Sequence, residues 1–137
     1  MAYTTIIFEA IDAWFFDVCS FKIDLISEEL SLIYRNSFGG YTINGIRLNR
    51  NQIKRIKKLS SPNIFEEFRD EKWKESKKTA YLLDGIHWNV QFTSDNGLPI
   101  LTMKNYSCNY LPPPALADLV NYAIEIGKPQ NKNFRLF

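Results

Sequence analysis

Hydrophobic and polar residues alternate strictly from Ile86 to Thr93. Ile86, Trp88, Val90 and Phe92 fall on one side, and His87, Asn89, Gln91 and Thr93 on the other. A period of two marks a strand with one buried face. Asp95-Asn96-Gly97 then supplies a turn, a second apolar-rich run follows, and Pro112-Pro113-Pro114 leads into a new pattern. From Pro114 the spacing is helical. Leu116, Leu119, Val120, Ala123 and Ile126 form one stripe, with Asp118, Asn121 and Glu125 opposite. Gly127 followed by Pro129 stops that helix.

The N-terminal half is less uniform. Between Thr4 and Phe16, alternation groups Ile7, Ile11, Ala13 and Phe15 but brings Glu9 with them, and helical spacing through Ile7, Ala10, Trp14 and Val18 also fits. The β-branched and aromatic content favours a strand. Phe21, Ile23 and Leu25 alternate with Lys22 and Asp24. Ser27-Glu28-Glu29 makes a turn, and Leu30 to Tyr34 returns as a hairpin. Gly39-Gly40 and Asn44-Gly45 bracket a short strand at 41–43. Asn49 and Gln52 have the spacing of a capping box, opening a helix with Ile53, Ile56 and Leu59 on one side. Ser61-Pro62 ends that helix and caps another, with Ile64, Phe65 and Phe68 inward and Glu66, Glu67, Asp70 and Glu71 outward. Asp70 and Lys74 form a supportive i,i+4 pair there. These elements predict an α+β fold, an antiparallel sheet of about five strands with three helices packed on one face. Residues 1–127 read as one domain and 128–137 as a polar C-terminal tail.

A chain of 137 residues is long enough to bury its own core. The net charge of +2 conceals an uneven distribution. Residues 1–49 hold six acids against three bases, a local net of −3, whereas 50–80 hold ten bases against five acids, a local net of +5. No basic region precedes an apolar stretch near Met1, and no uncharged apolar run approaches the roughly 18 residues of a membrane span. Two cysteines, Cys19 and Cys108, are too few for a secreted disulfide scaffold. The cytoplasm is the expected compartment.

Candidate chemistry is sparse. Cys19, His87 and Cys108 lack metal-ligand spacing, so no metal is expected. No glycine-rich phosphate loop is present, and neither a cofactor nor a small-molecule ligand is indicated. His87 and Cys108 together are the only candidates for a small hydrolase. Asp70-Glu71-Lys72 and Glu75-Ser76-Lys77 match the acid-x-Lys element of some nucleases, but they fall on a solvent-facing helix or its trailing end rather than a core strand. Asp12, Asp17 and Asp24 show no spacing that demands paired-carboxylate chemistry.

Two surfaces suggest partners instead. Arg50, Lys54, Arg55, Lys57 and Lys58 give the helix after Asn49 a basic face, the best nucleic-acid candidate in the chain, although an acidic helix follows it directly. Trp14 and Phe16, bordered by Asp12, Asp17, Glu28 and Glu29, have the aromatic-acidic composition of a surface that docks a basic protein.

Asp84-Gly85 with Trp88, the Asp95-Asn96-Gly97 turn, and Asn109-Tyr110-Leu111-Pro112 entering the final helix carry a resemblance. The last third of the chain resembles small bacterial α+β proteins with a D-G-x-x-W strand and a proline-led C-terminal helix, some of them immunity proteins for polymorphic or contact-dependent toxins. Tyr34-Arg35-Asn36-Ser37 before Gly39-Gly40 adds to it. Two departures stand out: Ser107-Cys108 replaces a glycine expected before the asparagine, and Leu111 separates Tyr110 from Pro112. The resemblance implies a non-enzymatic inhibitor whose partner is a protein, a cognate toxin domain whose active site it occludes. A regulatory inhibitor of another host protein, a nucleic-acid binder and a small hydrolase are the alternatives.

Overall fold

The computed structural model describes residues 3–12, 17–36, 39–60, 86–104 and 114–127. Six strands form one antiparallel sheet: β1 (Thr5–Asp12), β2 (Asp17–Asp24), β3 (Glu29–Asn36), β4 (Gly39–Arg47), β5 (Ile86–Thr93) and β6 (Pro99–Lys104). The described helices are α1 (Arg50–Leu59) and α2 (Pro114–Gly127). The class is α+β, as expected, and among the described residues the sheet has six strands where about five were expected. β4 spans nine residues where Gly39-Gly40 and Asn44-Gly45 predict only 41–43. Those glycines lie inside the strand, and β4 accommodates its extra residue in a bulge opposite Leu30–Leu32, with Gly45 at φ +67°. The helix expected after Ser61 lies outside the described residues, which contain two helices rather than three.

Strand order is β4-β3-β2-β1-β5-β6. Strands β1 to β4 run as a meander, and the β5–β6 hairpin pairs back onto the free side of β1. The first segment therefore forms a strand, β1, over its described residues and not a helix. Its inward face is also the reverse of the expected one. Ile6, Phe8 and Ala10 are buried, while Ile7 is half-buried and Glu9 and Ile11 are exposed. Isoleucines occupy both parities of β1, so alternation alone was ambiguous; Glu9 decides it, because an unpaired carboxylate is costly in an apolar core.

The core forms along one face of the sheet. Phe8 faces Phe21 on β2 and Val90 on β5, and its ring stacks on Phe21 at 5.2 Å between centroids. Leu30 and Leu32 extend the core through β3, and Trp88 and Phe92 through β5. Leu116, Leu119, Val120, Ala123 and Ile124 of α2 close over it, with Ile126 half-buried beside them. Packing is tight at Gly127, where a Cβ would lie 2.7 Å from a Leu32 methyl. The register between β5 and β6 shifts at Phe92 and Thr93, where β6 carries the extra residue, and Thr93 is buried at that strand end despite its expected outward position.

Helix α1 is fixed at both ends. The Asn49 side chain accepts from the Gln52 amide at 2.8 Å, and the Gln52 side chain accepts from the Asn49 amide at 2.9 Å. This is the capping box that the sequence predicted. At the other end Ser60 is buried and its hydroxyl donates to the Ile56 carbonyl at 2.7 Å. The Tyr3 hydroxyl donates to the Ser60 carbonyl at 3.0 Å and also meets the Ser60 hydroxyl, while its ring packs edge-on against Phe92. Burial raises the Tyr3 pKa, an effect that the Ser60 bond partly opposes. Asn49→Ala removes a donor's partner at the exposed helix entry and is expected to cost about 1 kcal/mol of unfolding free energy in urea titration. Asn49→Asp should restore most of it.

Candidate protein-docking surface

One end of the sheet is bounded by a row of cross-strand neighbours, running Arg47, Glu29, Asp24, Thr5, Thr93 and Pro99 from β4 to β6. The β2–β3 turn and the β5–β6 turn both project from this end. Each carries an exposed aliphatic residue: Ile26 is 69% exposed and Leu98 63%. The two turns are separated by three strand spacings, about 14 Å.

The β2–β3 turn is held from several sides. Asp24 Oδ1 accepts from the Ile26 amide at 2.9 Å and from the Ser27 amide at 3.2 Å. The Leu25 amide donates to the Thr4 carbonyl and the Leu48 amide to the Glu28 carbonyl, both at 2.8 Å. The Ser27 amide, the largest cause, lowers the Asp24 pKa; desolvation, the second, opposes it, and the Ile26 amide, the Ser27 hydroxyl and Lys22 add to the lowering. A carboxylate depressed in the folded state stabilises the turn above its unfolded pKa, and that stability is lost as pH falls through the folded value. At neutral pH the turn is held and charged.

Glu28 takes a left-handed backbone conformation, φ +58°, the only non-glycine residue to do so among those described. That conformation costs an L-residue roughly 1 kcal/mol relative to glycine. Asp24 and Glu29 are also direct cross-strand neighbours, a like-charge arrangement that works against pairing unless offset. Arg47, opposite Glu29, provides a counter-charge. Strain and like charge at one turn are a local cost without a packing gain, a pattern associated with functional sites.

The acidic and aromatic residues singled out in the sequence are divided by this geometry. Glu28 and Glu29 lie at the turn, both exposed. Asp12 and Asp17 face each other at the opposite end of the sheet, seven residues along β2 from Asp24, or roughly 23 Å. Trp14 and Phe16 lie outside the described residues. The four described residues thus lie at two different ends of the sheet. Ile26 and Leu98, which the sequence reading left out, join Glu28 and Glu29 instead. The signal for Ile26 was available: an aliphatic residue between Asp24 and Ser27-Glu28 has no strand neighbour to bury it.

The side of the sheet away from the core of the described residues is a mosaic. Ile11 is 47% exposed and neighbours Val18 on β2 and His87 on β5. Ile7 and Ile33 are half-buried, among Glu9, Ser20, Asn89 and Gln91. His87 is therefore exposed on the face opposite Cys19, whose thiol is buried and pushed up to about 12 by desolvation. Such a thiol stays protonated at neutral pH and is no nucleophile. Cys108, the other half of the hydrolase candidate, lies outside the described residues, as do Asp70-Glu71-Lys72 and Glu75-Ser76-Lys77. Among the described residues no three His, Cys, Asp or Glu side chains gather as a metal ion would require, and no helix is long and apolar enough to cross a membrane.

Arg50, Lys54, Arg55, Lys57 and Lys58 are all exposed along α1, as the sequence predicted. Compared with family models, curated proteins and solved structures, the chain matches none of them.

Proposed function

We propose that this chain is a non-catalytic inhibitor that binds a protein, of the kind that immunity proteins represent, and that its acidic sheet end covers the basic active site of a cognate toxin domain. The observation that carries this reading is the β2–β3 turn, which presents Ile26 beside Glu28 and Glu29 on a hydrogen-bonded support. A preformed turn loses little conformational entropy on docking. An exposed aliphatic tip supplies apolar burial, and the carboxylates beside it match a site that must be basic to hold phosphate. The resemblance of the last third of the chain to toxin immunity proteins agrees with this role. Leu98 and Asp95, on the neighbouring turn, extend the surface toward the size of a stable interface.

The test starts from the reading frame adjacent to this one in its genome, expressed as a toxin candidate with and without this chain. Growth should be restored by the wild-type chain, and calorimetry should show a complex. Ile26→Lys combined with Glu28→Lys should weaken that complex by at least about 30-fold, the level of an interface hot spot, while the far-ultraviolet spectrum stays unchanged. Full protection and unaltered affinity in the double variant would remove the turn from the interface. A neighbour that is not toxic, and is not bound, would remove the immunity reading itself.

A further inference from the structure

We propose that the outer face of α1 is a second binding surface, one that takes the phosphate backbone of a nucleic-acid duplex. Five of the ten residues of this helix are Arg or Lys and none is acidic. All five are exposed, and none is ion-paired among the described residues. From Arg50 to Lys58 the helix advances about 12 Å. A duplex carries one phosphate per roughly 1.7 Å of its axis, both strands counted, so about seven charges fall within that length, enough to engage about four of the five cations at once.

The helix is presented rigidly. Ile56 is buried in the core, Ile53 and Leu59 pack against it, the capping box fixes the first turn, and the Tyr3–Ser60 contact fixes the last. These contacts also select among anionic partners. A helix that enters a lipid interface must release its apolar side to the acyl chains, and here that side is already committed to the core. Single-stranded nucleic acid is held by aromatic stacking platforms, and α1 itself carries no aromatic residue. A duplex backbone needs only the charge and the straight, fixed face. Contacts to phosphate carry no sequence information, so binding would be sequence-independent.

This inference does not depend on the toxin-inhibitor reading, whose test uses other residues. Fluorescence anisotropy of a labelled 24-base-pair DNA duplex, titrated with the full chain between 50 and 200 mM salt, tests it. With about four phosphates neutralised, the logarithm of the association constant should fall with the logarithm of salt at a slope near −3.6. Lys54→Gln with Lys58→Gln should weaken binding about tenfold and flatten the slope by about 2. Lys22→Gln with Arg35→Gln, an equal loss of charge on the sheet, should change affinity less than twofold. An unretained duplex at 50 mM salt would overturn the proposal, as would equal losses in the two variants, which would indicate net charge alone. Phosphatidylserine vesicles and poly-glutamate serve as competitors; displacement of the duplex by either at matched charge concentration would assign the surface to that partner instead.

Discussion

Replacing Trp88 with alanine is expected to cost about 3–5 kcal/mol of folding stability, the range for removing a large aromatic ring from a packed core. The indole is 2% exposed in the middle of β5. Directly across the ladder stands Ala10, itself flanked on β2 by Cys19, so small side chains on two strands leave the room that the ring fills. None of these neighbours is long enough to collapse into the space vacated by the substitution, and a poorly collapsing site gives losses near the top of the range. A domain with ordinary stability, about 5–15 kcal/mol, would retain a narrow margin. Urea titration of wild type and Trp88→Ala, followed by far-ultraviolet circular dichroism, measures the difference. Trp88→Phe should lose markedly less, since most of the ring's apolar area remains. A loss under about 1 kcal/mol for the alanine variant would mean that Trp88 does not sit in the core.

The position of Trp88 was legible because its strand carries one polar residue after each apolar one, leaving a single assignment of faces. The same was true of α2, where the stripe from Leu116 to Ala123 points inward as its spacing requires, and of α1, whose Asn49 and Gln52 announce its start. β1 was harder to read for a physical reason. A central strand is covered by neighbours on both edges, and its outer face here keeps Ile7 and Ile11, so hydrophobicity no longer distinguishes inside from outside. Glycine usually punctuates strands, so Gly39-Gly40 and Asn44-Gly45 predict a β4 shorter than it is; the outermost strand of the described sheet tolerates glycine at bulges and close approaches. The docking surface was only partly legible. Glu28 and Glu29 stood out by charge, but their separation from Asp12 and Asp17 depends on hairpin register, which no composition reveals. Ile26 was legible from its place between Asp24 and Ser27-Glu28, where no strand neighbour can bury it; its exposure confirms that position.

Gly40→Val is expected to destabilise the protein by up to about 3 kcal/mol, in the upper part of the range for forcing extra atoms into a packed site. A Cβ at this position would fall on the Tyr34 carbonyl oxygen and 2.8 Å from the Arg35 Cα. Both are backbone atoms, so no rotamer change relieves the clash; the end of β4 must move away from β3. Thr42→Val, on the exposed face of the same strand, adds no such contact and should change stability by less than about 0.5 kcal/mol. Hydrogen exchange distinguishes a local failure from a general one. Amides of the paired segments near Arg35 and Gly40 should lose protection first, while those of β1 and β5 keep theirs. The β2–β3 turn lies at the other end of β3, tied by the Leu48 amide to the Glu28 carbonyl, seven residues along the strand from the substituted end. The opened edge should therefore leave Ile26 and Glu28 in place, and a partner that docks on them should bind Gly40→Val at folding temperatures as it binds the wild type. A fully stable Gly40→Val would show that β3 and β4 do not approach as closely as this register requires. Loss of binding from a variant that remains folded would show instead that the sheet end and the β4 edge act as one surface.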